Sequence, residues 1–197
     1  MRVSYQAPPD RWRRSIWALL GLRPVYAEHS RADEEVLRRY AATAASIVEI
    51  GSAEGTSALA MRESMHATSH LWCIDPYVSR VRGLSPREQV AHRVVRSSLN
   101  GEVTWIKARS ADVGRSWSGP KVDLLFVDGD HSLEGVRRDW EAWEPHLADG
   151  AVVIFDDAAG AAQGWGPSRL VAEQIDVPGT GWHVVDTGDR YLVVART

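Results

Sequence analysis

The chain has 197 residues, 44% of them hydrophobic, which is enough for one substantial core and points to a single domain. Its 23 basic and 26 acidic residues leave a net charge of −3 with no extended basic tract, so nucleic acid is not the expected partner. Cys73 is the only cysteine, which excludes an intrachain disulfide, and its place in the apolar run LWCI points to a buried thiol in a reducing cytoplasm.

In chain order, Arg11, Arg13 and Arg14 precede the apolar stretch Ile16 to Leu22. This imitates a secretory signal, but the apolar part is at the short limit and Arg23 ends it. The better expectation for residues 1–28 is an amphipathic arm or cap. It would cover the site, pack on a second copy to give a homodimer through Trp12, Ile16, Trp17 and Leu20, or touch a membrane. No segment approaches the roughly 20 apolar residues of a membrane span, so stable insertion is not expected.

A helix is predicted over 31–45. Five β-branched runs follow, at 46–50, 71–75, 103–108, 122–128 and 151–157, separated by predicted helices at 55–66, 85–98 and 109–117. Between the last two runs, Leu133, Val136, Trp140, Trp143 and Leu147 recur at helical spacing, with Gly150 as the stop. Such alternation predicts an α/β fold, a parallel sheet with helices on both faces. A helix near 168–176 and a terminal hairpin turning at Thr187-Gly188-Asp189 complete seven strands, the last antiparallel to its partner.

The first run leads into EIGSAEGTS, where Gly51 and Gly55 bracket a turn before a helix starting near Thr56. Glycines there let backbone approach a ligand, and the helix start favours a negative group. Ala53 stands where a dinucleotide fingerprint has its second glycine, which weighs against a nicotinamide cofactor. Asp75 ends the second run at the distance where such folds place an acceptor for ribose hydroxyls. A plain strand-turn-helix connection and a surface or capping acid explain the same residues.

The stretches VEIGSAEGTS, CIDPY, ARSAD, FVDGDHSLEGVRRDWEAWEPHLADGAVVIFDD and GWGPSR together resemble class I S-adenosylmethionine-dependent methyltransferases. They are most similar to the metal-dependent O-methyltransferases of the macrocin and mycinamicin sugar-modifying type, relatives of catechol and caffeoyl-CoA O-methyltransferases. The resemblance runs from about residue 30 to the C-terminus and is most specific over 126–157. It implies a Rossmann-like, doubly wound sheet that binds S-adenosylmethionine. Glu49 and Gly51 would face its methionine part, Asp75 its ribose, and Ser110 and Asp112 its adenine, with Ser52, Gly55 and Asp128 also binding the cofactor and Asp128 taking part in catalysis. Ser110 reads equally well as a helix cap, and Arg109 departs from the small residue common among relatives.

Asp128 ends the fourth run, and Asp156 with Asp157 ends the fifth. If those strands are neighbours, three carboxylates converge, and their repulsion calls for a cation. A hard divalent ion, Mg2+ or else Mn2+, suits oxygen ligands, so Asp128, Asp156 and Asp157 are the expected metal ligands. The plainer reading makes them caps of turns and of the helix near Ser132. His131 lies three residues past Asp128, and imidazole, which titrates near 6.5, can take a proton from a hydroxyl held at the metal. In the sugar-modifying relatives this position is the proposed general base. Asp130 caps the helix or orients His131.

The expected acceptor is a small hydroxylated molecule, a sugar or glycoside before a phenol. Its walls would be the loop after Asp75 and the loop 158–169, with Tyr77, Trp165 and Arg169 as contacts. A phenol methyltransferase of the catechol type and a non-catalytic nucleoside-binding module are the rival readings. The intact set of Asp128, His131, Asp156 and Asp157 argues against the second.

Overall fold

The computed structural model describes residues 2–6, 14–78 and 85–196. β1 (Val3–Ser4) and β2 (Val25–Tyr26) form a small parallel pair, and α1 (Arg14–Leu19) lies between them in sequence. α2 (Arg31–Ala41) opens with a capping box. The Ser30 hydroxyl accepts from the Asp33 N–H while the Asp33 carboxylate accepts from the Ser30 N–H, satisfying donors that a helix start leaves free.

The main sheet comprises β3 (Ser46–Ile50), β4 (His70–Ile74), β5 (Glu102–Ile106), β6 (Val122–Val127), β7 (Leu147–Phe155), β8 (Trp182–Thr187) and β9 (Leu192–Arg196). Its order is β5-β4-β3-β6-β7-β9-β8. β3 to β7 run parallel, and β9 is antiparallel to both β7 and β8. This is the seven-stranded, mostly parallel sheet with an antiparallel terminal hairpin that the apolar runs predict. The connections carry α3 (Thr56–Ser64), α4 (Pro86–Val95), α5 (Ser110–Arg115), α6 (Leu133–Trp143) and α7 (Gly166–Leu170).

Side chains alternate between the two faces of a strand, so each central strand feeds two cores. Val48, Ile50, Leu125, Val127, Val153 and Phe155 cluster with Val136 and Trp143 of α6. Ile47, Leu124, Phe126 and Ile154 cluster instead with Leu37 of α2 and Met61 of α3. Cys73 is buried in the second cluster, and burial pushes its thiol well up.

Three boundaries depart from expectation. The helical spacing through Leu147 stops at Trp143, because Pro145 has no N–H for a helical bond; Glu144–His146 makes a 3-10 turn and Leu147 starts β7. Gly150 therefore sits inside β7, at φ +73°, where the register against β6 jumps from Val122–Leu147 to Leu124–Val152. In the hairpin, Thr187 still belongs to β8, and the loop is 188–191, closed by the Gly188 N–H donating to the Tyr191 carbonyl at 2.9 Å. The last helix begins at Gly166 and widens into a π-helix over Val171–Ile175.

The described part of the N-terminal segment packs on the domain. Ala18 and Val25 join Val90 and Val94 of α4, and the Arg93 guanidinium donates to the Leu19 carbonyl at 2.8 Å. Ile16 and Leu20 remain exposed, while Trp12 lies outside the described residues. Among the described residues, no helix is long and apolar enough to cross a membrane.

Candidate active site

The chain builds outward from β3 to β4 and β5, then returns to lay β6 and β7 on the other side of β3. The carboxyl ends at such a reversal leave a crevice. A cleft of about 580 Å³ opens there, lined among others by Glu28, Gly51, Ala53, Asp75, Arg109, Ser110, Asp112, Asp128, His131 and Asp139.

The turn after β3 is shaped by its neighbours. Gly51 has φ +89°, its N–H donates to the Ile74 carbonyl at 2.8 Å, and the Asp128 N–H donates to the Ile50 carbonyl at 2.8 Å. A Cβ on Gly51 would lie 1.8 Å from the Asp128 carbonyl oxygen. Contact between strand ends, before any ligand, demands glycine here. Gly55, at φ +80°, leaves room for the backbone of Ala91 in α4, 2.9 Å from where its Cβ would be, so helix packing by itself accounts for a glycine there. Ala53 also adopts a left-handed φ of +45°, held because its N–H donates to Asp75 Oδ2 at 3.0 Å. The other oxygen of Asp75 accepts from the Tyr77 N–H at 2.7 Å, so one carboxylate pins both turns.

Glu49 lies wholly buried beneath this turn. Its Oε1 accepts from the Ser57 hydroxyl at 2.5 Å, and burial pushes its carboxyl upward. Glu49 Oε2 and the Ser52 hydroxyl are buried with no hydrogen-bond partner among the described residues. At the far end of the cleft, Ser110 opens α5, its hydroxyl donates to Asp139 of α6, and its carbonyl accepts from Trp143 Nε1 at 3.1 Å. Asp112 pairs with Arg115.

At the near end, the pairing of Val127 with Phe155 puts Asp128 beside Asp156. Ligand atoms of Asp128, His131 and Asp156 lie within 4.8 Å of one another. Two of the expected metal ligands thus meet, and His131 takes the third place. Asp157, turned by φ +50°, sends Oδ2 to within 2.8 Å of His131 Nδ1, out of line for a hydrogen bond, and Oδ1 to Arg190. His131 Nε2 stands 3.3 Å from Asp128 Oδ1. Burial pushes the Asp128 and Asp156 carboxyls far above the usual carboxylate range, and the charge of Asp128 raises Asp156 further. Asp156 Oδ1 is buried without a hydrogen-bond partner among the described residues. Two carboxylates, one of them with an unsatisfied oxygen, and an imidazole form a donor set that fits a divalent cation, Mn2+ as readily as Mg2+. Asp130 accepts from the Ser132 N–H at 3.0 Å, and the Ser132 hydroxyl caps α6, so Asp130 supports the helix start.

None of Tyr77, Trp165 and Arg169 is among the residues lining this cleft. Tyr77 is 4% exposed and does not line the cleft, because its left-handed backbone folds the ring inward. Arg169 pairs with Glu173 at 3.0 Å along a separate groove, and Trp165, 53% exposed, lines neither. Part of the loop after Asp75 lies outside the described residues. Sequence reasoning missed Glu28, Asp139 and Arg190. Only the i, i+4 step from Gly135 to Asp139, which keeps Asp139 on the inner side of α6, offered a signal for any of them.

The profile of a family described as a methyltransferase domain matches residues 48–158, more than half of the chain. The chain belongs to this methyltransferase family. The match runs from the middle of β3 to just beyond Asp157, and so takes in both ends of the cleft. The uncharacterized protein y4gI of Sinorhizobium fredii is 30% identical over 137 residues, 64% of this chain; the chain spans 14% of that relative's length. Among solved structures, a protein of Corynebacterium glutamicum aligns at TM-score 0.67 and 23% identity, over 93% of this chain and 87% of the other. The O-methyltransferase TomG of Streptomyces achromogenes, involved in tomaymycin synthesis and solved with S-adenosylmethionine, aligns at TM-score 0.63 and 15% identity, over 93% and 87%. At these identities the structural likeness speaks for the methyltransferase fold.

Proposed function

We propose that this methyltransferase is an S-adenosylmethionine-dependent, divalent-metal-dependent O-methyltransferase acting on a hydroxyl of a sugar or glycosylated natural product, with His131 as general base. The observation that carries the reading is the group of Asp128, His131 and Asp156 at one end of the cleft, with its buried, unsatisfied Asp156 oxygen. The sugar acceptor rests on the resemblance of residues 126–157 to sugar-modifying enzymes.

In this reading Gly51, Asp75, Ser110 and Asp112 line the cofactor's path, and the unpartnered Glu49 and Ser52 oxygens lie beneath its methionine end. S-adenosylmethionine, once bound, brings an already activated methyl group. Asp128, Asp156 and Asp157 would hold a divalent cation, leaving the His131 imidazole free, and the ion would stabilise an acceptor oxygen as its proton leaves. His131 accepts that proton, the carboxylate of Asp157, 2.8 Å from its Nδ1, favours the imidazolium that forms, and the cleft aligns oxygen, methyl and sulfur.

Calorimetric titration of S-adenosylhomocysteine and then Mn2+ or Mg2+ into wild type and Asp156→Ala tests the site, followed by methyl transfer to a panel of sugars and catechols. The expected result is cofactor-product binding by both proteins, metal binding by wild type alone, and turnover of a sugar. Wild type that binds S-adenosylhomocysteine but no metal would overturn the metal reading, and turnover confined to catechols would overturn the sugar. A homodimer through Ile16 and Leu20 belongs to the same proposal, and a monomeric mass in sedimentation would remove it.

A further inference from the structure

Arg190 sits in the loop between β8 and β9, far in sequence from every motif, yet each of its polar groups is committed. Its N–H donates to Oδ1 of the fully buried Asp33 at 3.1 Å, and its carbonyl accepts from the N–H groups of Ala158 and Ala159 at 2.9 Å each. Its guanidinium donates to Asp157 Oδ1 through Nε at 2.8 Å, to Asp156 Oδ2 through Nη2 at 2.9 Å, and to the Glu28 carbonyl through Nη1. Three separate parts of the chain, at Glu28, at Asp33 and over 156–159, therefore hold this residue beside the end of β7. An exposed, wandering arginine would have no such anchorage.

We propose that Arg190 is a positioning residue for the candidate metal site. By occupying Asp156 Oδ2 and Asp157 Oδ1 it leaves Asp156 Oδ1 free to face Asp128 and His131, and it holds Asp157 Oδ2 against His131 Nδ1. The planar fork matters as well as the charge, because two carboxylates on successive residues must be held at once. Through the Glu28 carbonyl, the same guanidinium ties the N-terminal segment to the rim of the cleft.

The inference rests on the metal reading above, and the test separates the two. Mn2+ binding is followed by electron paramagnetic resonance on the full chain for wild type, Arg190→Gln and Arg190→Lys, with S-adenosylhomocysteine calorimetry alongside. Groups that hydrogen-bond a metal's ligands typically contribute about 10- to 100-fold in affinity, so Arg190→Gln is expected to bind Mn2+ at least about tenfold more weakly. S-adenosylhomocysteine binding should stay unchanged, and Arg190→Lys, which keeps the charge without the fork, should fall between. Wild type that takes up S-adenosylhomocysteine but no Mn2+ overturns the metal reading and this inference with it. Wild type that binds Mn2+ while Arg190→Gln binds it equally or more tightly overturns the inference alone. Should Arg190→Gln fail to fold, Arg190→Lys with wild-type Mn2+ affinity would overturn the fork argument.

Discussion

Replacing Gly51 with alanine tests whether contact between strand ends shapes the cleft. Two separable costs apply. A non-glycine residue at φ +89° pays backbone strain of about 1–3 kcal/mol. The new Cβ would also stand 1.8 Å from the Asp128 carbonyl oxygen, and because the backbone fixes both atoms, the ends of β3 and β6 must part. Parting them endangers the Asp128-to-Ile50 and Gly51-to-Ile74 hydrogen bonds, each contributing about 1 kcal/mol net. The sum is about 3–5 kcal/mol, and at about 2–4 °C per kcal/mol for a chain of this size Tm should fall by roughly 6–20 °C. Gly164 is the control. It has a similar φ of +93°, but among the described residues a Cβ there would meet nothing within 4 Å, so Gly164→Ala should cost only the strain. Thermal unfolding of both variants, with S-adenosylhomocysteine calorimetry on Gly51→Ala, reads the difference. Equal destabilisation of the two, with cofactor-product binding intact in Gly51→Ala, would refute the reasoning.

Other outcomes follow from single contacts. Glu34 is held near pKa 2, below its ordinary 4.5, first by hydrogen bonding with His29 and then with Tyr5 and Arg38. A depressed carboxylate stabilises the fold above its unfolded pKa and loses that contribution as pH falls from about 4.5 towards about 2. Glu34→Gln should therefore flatten the acid limb of the stability profile by on the order of 1 kcal/mol after allowance for partial exposure, and an unaltered limb in pH-dependent urea unfolding would contradict this. Arg169→Ala should leave the KM for both substrates unchanged, because its side chain pairs with Glu173 outside the cleft, and stability should change by no more than about 0.5 kcal/mol. A raised acceptor KM would return Arg169 to the site.

The alternation of apolar runs with amphipathic segments by itself determined the parallel sheet and the antiparallel hairpin, because hydrophobic period and turn residues are local properties. The carboxylates Asp128 and Asp156 were legible for a related reason: each ends a strand, and strand ends in an open parallel sheet share one edge. Their coming together was decided by strand order, which placed β6 directly beside β7. Side-chain direction was beyond local reading. Tyr77 and Asp157 stand in motifs that suggest the site, yet left-handed backbone at each turns one into the core and the other towards His131 and Arg190. Pro145 was visible as a helix breaker, but helical spacing alone carried Leu147 past it. Arg190 was the hardest to foresee, since it reaches Asp156 across 34 residues and Glu28 across 162, through pairings that exist only once the hairpin has docked against β7 and the start of α2. Contacts of that kind depend on where separate elements meet, and no local pattern encodes the meeting.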